Sequence, residues 1–455
     1  MTIMKEVINV SRPVALHPAE IICTVMKRIY DANMTTVSGG NLSIMDEEGN
    51  MWISPSGNDK AALSITDISQ VLPDGTIVGK HKASVEYPIH RKIMLARPDI
   101  KAVFHAHPPA LVTMSILHQV PEIAVLPTLR RLCGGKIGVA PYGKPSSEIL
   151  ADNVTQLFAS GYNTVILENH GIFIGSKVGL FEAYETFETL DFAVRMEFNA
   201  PLLGNGKARK LSSSQIDEYE SFLDRNAHEH FTPYFTSEEL LLRQSIVRYV
   251  KRAYAKQLFT STQGVISARV GKDAFVITPK GYDRAYVEVD DLVSVNSDGA
   301  CEEDKVPDEM YLLHKKIYDA NEGVMCVMNA SPPHAMAFAI TDAAYDVRLI
   351  PECYVRLREA KKFPFESVYA NPQQIADYIS LLSPVAIVEN NCFIIASFNP
   401  FAAFDRLEIL EYTAKSVLYS KSFGEDIINI TNAQSEELRQ SFKVPKAPPV
   451  DLNIL

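Results

Sequence analysis

No two of the six cysteines fall in a CxxC arrangement; Cys23, Cys133, Cys301, Cys326, Cys353 and Cys392 are scattered over 455 residues. That spacing argues against a disulfide framework and predicts buried or idle thiols in a reducing compartment. Long apolar runs are missing too. The opening MTIMKEVINVSRP holds no stretch suited to a signal peptide, and no later segment approaches membrane-spanning length. Basic charge is in deficit, with 44 Lys and Arg against 55 Asp and Glu for a net charge of −11. A nucleic-acid footprint needs a basic stripe, so no nucleic-acid partner is expected, and no membrane partner either. A cytoplasmic protein is expected. Small anionic ligands stay open, because a few local donors capture a phosphate even in an acidic chain.

What is present reads as globular, with 47% hydrophobic and 22% charged residues. The length calls for more than one domain, and the order of the chain repeats. Helical spacing runs through AEIICTVMKRIYDAN and again through SEELLLRQSIVRYVKRAYAK, the latter led by Thr236 and Glu239 as a capping box. TTVSGGNLSI (35–44) then answers to TSTQGVISAR (260–269), and ISPSGNDK (53–60) to ITPKGYDR (277–284). VFHAHPP (103–109) answers to VMNASPP (327–333), and VILENHGIFIGS (165–176) to AIVENNCFIIAS (386–397). The chain is therefore two copies of one unit of about 200 residues. Residues 1–210 are expected to form the first domain, 211–235 a linker and 236–455 the second domain. Apolar strands alternate with helical stretches in each copy, which predicts layered α/β domains.

Chemistry concentrates in the first copy. In KAVFHAHPP a strand sends His105 and His107 to one face and Phe104 and Ala106 to the other, and Pro108-Pro109 ends the strand beside them. Two imidazoles on one face suit Zn²⁺, and His170, after a second apolar run and before Gly171, supplies a third. Three histidines with an open position describe a catalytic site rather than a closed structural one. His228 and His230 share the HxH spacing but lie in a polar stretch and read as solvated loop histidines. Glu86, opening an amphipathic helix, has a bland reading as a helix N-terminal carboxylate and a functional one as a general acid/base beside the metal. Glu148 competes for that role but looks like helix-start chemistry after Pro145 and Ser146.

SGGNLS (38–43), SPSG (54–57), SVE (84–86), HAHP (105–108) and NHG (169–171) together resemble the class II aldolase/adducin family, in its order and across the whole first copy. The resemblance implies two tandem three-layer α/β/α domains, each around a mainly antiparallel sheet. It implies one divalent metal per chain, Zn²⁺ in the aldolases, held by His105, His107 and His170 of the first domain, with Glu86 as catalytic acid/base. Gly40, Asn41, Ser56, Gly57 and Ser84 would fall where the family binds the substrate phosphate, in keeping with turns that present N–H groups to an anion. The implied reaction is retro-aldol cleavage of a sugar phosphate, a ketose, through an enediolate stabilised by the cation. Epimerase, dehydratase and decarboxylase chemistry at the same site, and an adducin-like scaffold without catalysis, are the alternatives. The chain departs from the family's frequent Ser-Ser-Glu at Ser84-Val85-Glu86, and a tyrosine borrowed from a neighbouring subunit has no counterpart around PTLRRLCGG (127–135), where Arg130 and Arg131 stand instead.

The second copy carries Asn329, Ser331 and Asn391 in place of the three histidines, poor Zn²⁺ ligands by comparison. Val265 stands for Asn41, Lys280 for Ser56 and Cys392 for Gly171, while Glu309 lies near the position of Glu86. His314 and His334 read as scattered surface or core histidines. The second half is expected to be catalytically silent. Family resemblance further implies a homo-oligomer, a dimer of two-domain chains imitating a fourfold ring.

Overall fold

The helical spacing read at the start of the chain buries Ala19, Ile22, Val25, Met26 and Ile29 on one face of α1 (Pro18–Asp31), with Pro18 in its first turn. The computed structural model describes residues 16–204, 207–224, 229–233, 235–272, 274–424 and 426–444. These fall into two compact units, one holding residues 16–124 and 128–195, the other Val125–Pro127 and the described residues from Met196 onward.

The first unit continues through β1 (Asn41–Met45), β2 (Met51–Ile53), β3 (Ser69–Val71), β4 (Ile77–Val78), α2 (Tyr87–Ala96) and β5 (Ala102–Ala106). There follow α3 (Pro109–Ile116), α4 (Leu129–Leu132), β6 (Ile137–Ala140), α5 (Glu148–Ala159), β7 (Thr164–Leu167), β8 (Ile172–Ser176) and α6 (Leu180–Asn199). Its sheet runs β4-β3-β2-β1-β5-β8-β7-β6, antiparallel except for the last pair, β7 and β6. Strand alternation fills both faces. Val103, Val165, Leu167 and Phe173 pack with Ile89, Ile93 and Met94 of α2 and Leu150, Val154 and Phe158 of α5. On the opposite face Phe104 meets Phe187 of α6 with ring centroids 4.4 Å apart, and α1 lies on β1 and β2. This is the α/β/α sandwich around a mainly antiparallel sheet that the resemblance implies.

The second unit opens with α7 (Ser213–Leu223) and β9 (His230–Phe231), then α8 (Ser237–Ala255), β10 (Val265–Val270), β11 (Ala274–Ile277), β12 (Val293–Val295) and β13 (Cys301–Glu302). It goes on through α9 (Tyr311–Ala320), β14 (Cys326–Ala330), α10 (Pro333–Ala339), α11 (Pro351–Leu357), β15 (Ala360–Phe363), α12 (Pro372–Tyr378), β16 (Val385–Val388), β17 (Cys392–Ser397), α13 (Pro400–Ser422) and α14 (Asn432–Ser441). The sheet order β15-β16-β17-β14-β10-β11-β12-β13 repeats that of the first unit from the opposite end, with β9 added at one edge.

The stretch 211–235, read as a linker from its polar composition, is partly folded. Ser212 and Gln215 close a capping box, and Ile216, Tyr219 and Leu223 at helical spacing bury one face of α7. His230 is exposed in the short strand β9, and His228 lies outside the described residues. All six cysteines are free, five of them buried. Among the described residues no helix is long and apolar enough to cross a membrane.

Phe104 is fully buried against Phe187, so Phe104→Ala removes packing that the sheet cannot easily close over. It should destabilise the first unit by about 3–5 kcal/mol, read as a lowered urea midpoint for that unit's transition. A midpoint unchanged from the parent would contradict the layer arrangement.

Candidate metal centre

Strand register brings the candidate residues together. β5 pairs with β1 so that His105 faces Asn41, and with β8 so that His105 faces Phe173. His107 follows directly after β5. His170 stands in the turn from β7 to β8, where Asn169 takes φ +54°, a left-handed conformation that asparagine tolerates. The turn packs tightly: a Cβ on Gly171 would meet His107 Cδ2 at 2.6 Å and the Ala106 carbonyl oxygen at 2.7 Å. Glycine is required there by close approach rather than by φ.

His107 Nε2 lies 2.9 Å from His105 Nε2. One nitrogen from each of His105, His107 and His170 lies within 4.8 Å of the others. His105 is fully buried, stacked on Phe173 at 4.2 Å, and its Nδ1 donates to the Ile172 carbonyl at 2.8 Å. That bond fixes the tautomer and leaves the Nε2 lone pair aimed at His107, the usual way an outer contact orients a metal-binding imidazole. Burial, reinforced by His107 and His170, holds the His105 pKa well below the ordinary value, and burial above all pushes His107 down to about 4. His170 is lowered by burial as well. Three imidazoles kept neutral by burial, with a nitrogen of each within 4.8 Å of the others, form a donor set that fits a divalent cation.

Glu86 is buried at the residue preceding α2, but its carboxylate makes no capping bond. Instead Oε2 accepts from Asn41 Nδ2 at 2.8 Å and lies 3.3 Å from His105 Nε2, and Oε1 lies 3.9 Å from His170 Nε2. Oε1 is buried and has no hydrogen-bond donor among the described residues, an orphaned acceptor of the kind a cation or a substrate proton satisfies. Asn41 has no free end, since its Oδ1 accepts from His90 Nε2, whose Nδ1 accepts from Ser43 Oγ at 2.7 Å. Burial keeps His90 neutral, its pKa pushed down to about 3.

The expected phosphate group of residues divides. Gly40, at φ +72°, lies so close to the His105 carbonyl that a Cβ would come within 2.9 Å of it. Gly57, at φ +68°, is exposed in open space. Ser84 is buried and its Oγ accepts from the Glu86 N–H at 3.3 Å, while the Ser56 N–H is already given to the Lys82 carbonyl. Asn41 is tied to Glu86. Glu148 begins α5, exposed, and pairs with Lys92 away from the histidines. On α4, Arg130 is half-buried and Arg131 exposed.

The sequence profile of the class II aldolase and adducin N-terminal domain matches residues 20–198 and again 244–418. The chain belongs to that family, and twice over. Among curated relatives it is similar to the 3-oxo-tetronate 4-phosphate decarboxylase of Haemophilus influenzae, 26% identical over 44% of this chain and 95% of the relative. It is similar to the L-fuculose phosphate aldolase of Methanocaldococcus jannaschii, 28% identical over 37% of this chain and 88% of that one. A methylthioribulose-1-phosphate dehydratase of Candida tropicalis is 26% identical over 41% of this chain and 82% of its own.

The second unit shows what becomes of this geometry without the histidines. Asn329, at the place of His105, accepts from His314 Nε2 at 2.9 Å, and His314 Nδ1 meets Ser267 Oγ. Ser331 Oγ donates to the Asn391 carbonyl, and with no imidazole in the way Cys392 replaces the glycine. Glu309 is not the counterpart of Glu86. The paired bridges Pro55 to Ala83 and Pro279 to Pro307 align Val85 with Glu309 and Glu86 with Met310, which precedes α9 as Glu86 precedes α2. Tyr219 of α7 is buried beside Asn391, Cys392 and Glu309, and Lys280 donates to the Leu223 carbonyl at the end of α7. His314 is a core histidine, and His334 is half-buried against Glu411.

Two residues of the first unit escaped the sequence reading, His90 and Lys60. The signal for His90 is its place four residues after Glu86 on one helix; for Lys60, the cation shared with Arg284 at the end of the matching SPSGNDK and TPKGYDR segments.

Gly171→Ala should displace His107 and lower metal affinity by about 10- to 100-fold with the fold retained, as measured by chelator competition. Unchanged affinity would show the turn to be looser than its contacts imply. The lowered histidine pKa values carry a pH consequence. A depressed imidazole pKa keeps the ligand form neutral as pH falls, so metal uptake by equilibrium dialysis should hold from about pH 7 to about pH 5.5, below the ordinary imidazole value. Uptake that collapses near the ordinary value would contradict it.

Proposed function

We propose that the first unit is a metal-dependent lyase that cleaves a carbon–carbon bond of a sugar phosphate, a retro-aldol reaction on a ketose. The observation that supports this reading is the convergence of three neutral imidazoles with one carboxylate whose Oε1 has no donor among the described residues. His105, His107 and His170 would hold the ion, and three nitrogen ligands with an open position favour zinc. A divalent cation bound there supplies Lewis-acid polarisation of the substrate's oxygens and fixed charge for an enediolate.

The chain's own groups do the rest. Glu86 delivers a proton to the enediolate carbon after the bond breaks, or removes it in the aldol direction, at the carboxyl group next to the three rings. Asn41 holds Oε2, which leaves Oε1 to face the reacting carbon. His105 keeps its proton on Nδ1 through the Ile172 carbonyl and so remains a donor of its Nε2 lone pair. Phe173, stacked on His105, excludes water from that side of the centre.

Decarboxylation is the second reading, favoured by similarity to the 3-oxo-tetronate 4-phosphate decarboxylase. It too breaks a carbon–carbon bond and leaves an enediolate for Glu86 to protonate, so the same residues serve both. The second unit, with Asn329, Ser331 and Met310 at the decisive places, is silent in this reading.

The purified chain should hold about one equivalent of metal, and a panel of ketose phosphates and 3-oxo acid phosphates should release a triose phosphate or carbon dioxide from one member. Glu86→Gln should cut turnover by about 10²- to 10⁴-fold with the metal retained. A chain that neither carries nor takes up metal would overturn the lyase in favour of an adducin-like scaffold.

A further inference from the structure

Lys60 is 2% exposed, among the largest fully buried side chains of the molecule. Among the described residues its ammonium makes one hydrogen bond, to the Pro55 carbonyl at 2.5 Å, and no ion pair. A buried ammonium normally has a carboxylate partner, because desolvation of the charge is otherwise uncompensated. Burial alone pushes the Lys60 pKa down to about 8, with no neighbouring acid opposing it.

The second unit contains the same frame with the partner present. The Lys60 N–H bonds the Val37 carbonyl and the Arg284 N–H the Ser261 carbonyl, both at 2.8 Å. The Ser84 N–H bonds the Ser54 carbonyl at 3.2 Å and the Asp308 N–H the Thr278 carbonyl at 3.1 Å. Ser84 Oγ accepts from the Glu86 N–H at 3.3 Å, Asp308 Oδ1 from the Met310 N–H at 3.2 Å. The Pro55 carbonyl takes Lys60 Nζ, and the Pro279 carbonyl takes Arg284 Nη1. With four contacts matched in pairs, Ser84 Oγ and Asp308 Oδ1 hold equivalent places. The remaining oxygen, Asp308 Oδ2, accepts from Arg284 Nη2 at 3.2 Å. In the silent copy the cation is thus matched by a side chain; in the first copy that side chain is a serine.

We propose that Lys60 is the cation that receives the anionic group of the substrate at Ser84, in the position that Asp308 fills in the second unit. This deepens the lyase reading and rests on it for the word substrate: the first unit takes phosphorylated or carboxylated sugars in preference to neutral ones. It also accounts for Ser84-Val85-Glu86. Val85 stands where the family's frequent second serine would be and offers no hydrogen-bond donor, and a charge on the SPSGNDK segment takes over that donor's task.

Inorganic phosphate is the probe, with the full chain at constant metal content and the thermal midpoint of the first unit as the readout. Phosphate should raise that midpoint in the parent. Lys60→Met should weaken the apparent phosphate affinity by roughly tenfold or more, and Lys60→Arg should preserve it. Ser84→Asp should import the pairing of the second unit, raising the midpoint without phosphate and abolishing the response to it. Phosphate protection that is the same in Lys60→Met as in the parent would overturn the assignment. So would a Ser84→Asp chain that gains no stability and still responds, which decides the matter should Lys60→Met fail to fold. Protection that depends on Lys60 in a chain inert towards every ketose phosphate would retire the lyase and keep the anion site. Turnover with protection indifferent to Lys60 would do the reverse.

Discussion

Two imidazole nitrogens stand 2.9 Å apart at the end of β5, and the rest of the first unit is arranged to keep them there. Between neutral rings that distance is a hydrogen bond into the His105 Nε2 lone pair, a place that a cation can take over when the His107 nitrogen gives up its proton. The positions of the two rings therefore matter more than the bond itself. Strand pairing fixes that of His105, through Asn41 on one side and Phe173 on the other, and the Ile172 carbonyl sets its tautomer. A missing Cβ fixes that of His107, because any side chain at position 171 would push the ring away. The centre therefore depends on the sheet's register rather than on flexible loops. A one-residue slip of β8 would send Phe173 to the opposite face and take the Ile172 carbonyl away from His105.

Glu86 illustrates how the same frame shapes a carboxylate. At the start of a helix an acid would ordinarily bond the first N–H groups, and nothing in the local sequence forbids it. Here the side chain turns inward because Asn41 offers an amide N–H, and Asn41 is itself held by His90, which is held by Ser43. Each member of that row is buried and each bond has one sensible direction, so the Asn41 amide cannot flip without leaving His90 Nε2–H facing another donor. A carboxylate orientation is thereby specified three residues away from the group that uses it.

The parts of this arrangement that could be read ahead are those that local chemistry writes in order. Alternation along KAVFHAHPP sets His105 and His107 on one face, and the Gly after His170 announces a close approach. What escaped was either long-range or hidden by composition. His90 belongs to the site only because β1 brings Asn41 beneath α2, a tertiary fact. The Ser, Gly and Lys content of the interdomain stretch concealed α7, though Ser212 and Gln215 spelled its start. Glu309 looked equivalent to Glu86 because both are acids near the start of a matching helix; the bridge from Pro279 to Pro307 counts one residue differently and puts Met310 there. Asn41 and Ser56 were read as anion donors from their turns, yet one is committed to Glu86 and the N–H of the other to Lys82.

The two units together separate what the fold needs from what the site imposes. The first carries three imidazoles depressed by burial, an orphaned carboxylate oxygen and a buried ammonium without a counter-charge. Each of these disfavours the folded chain in isolation. The second, on the same backbone frame, replaces them: Asn329, Ser331 and Asn391 stand where the three imidazoles stand, Met310 where Glu86 stands, and Asp308 meets the buried cation Arg284. Had the unusual features of the first unit been demands of the fold, the second would have kept them. They changed where the histidines changed, which is what the proposed ligand site requires of them, and the pairing of the buried cation changed with them.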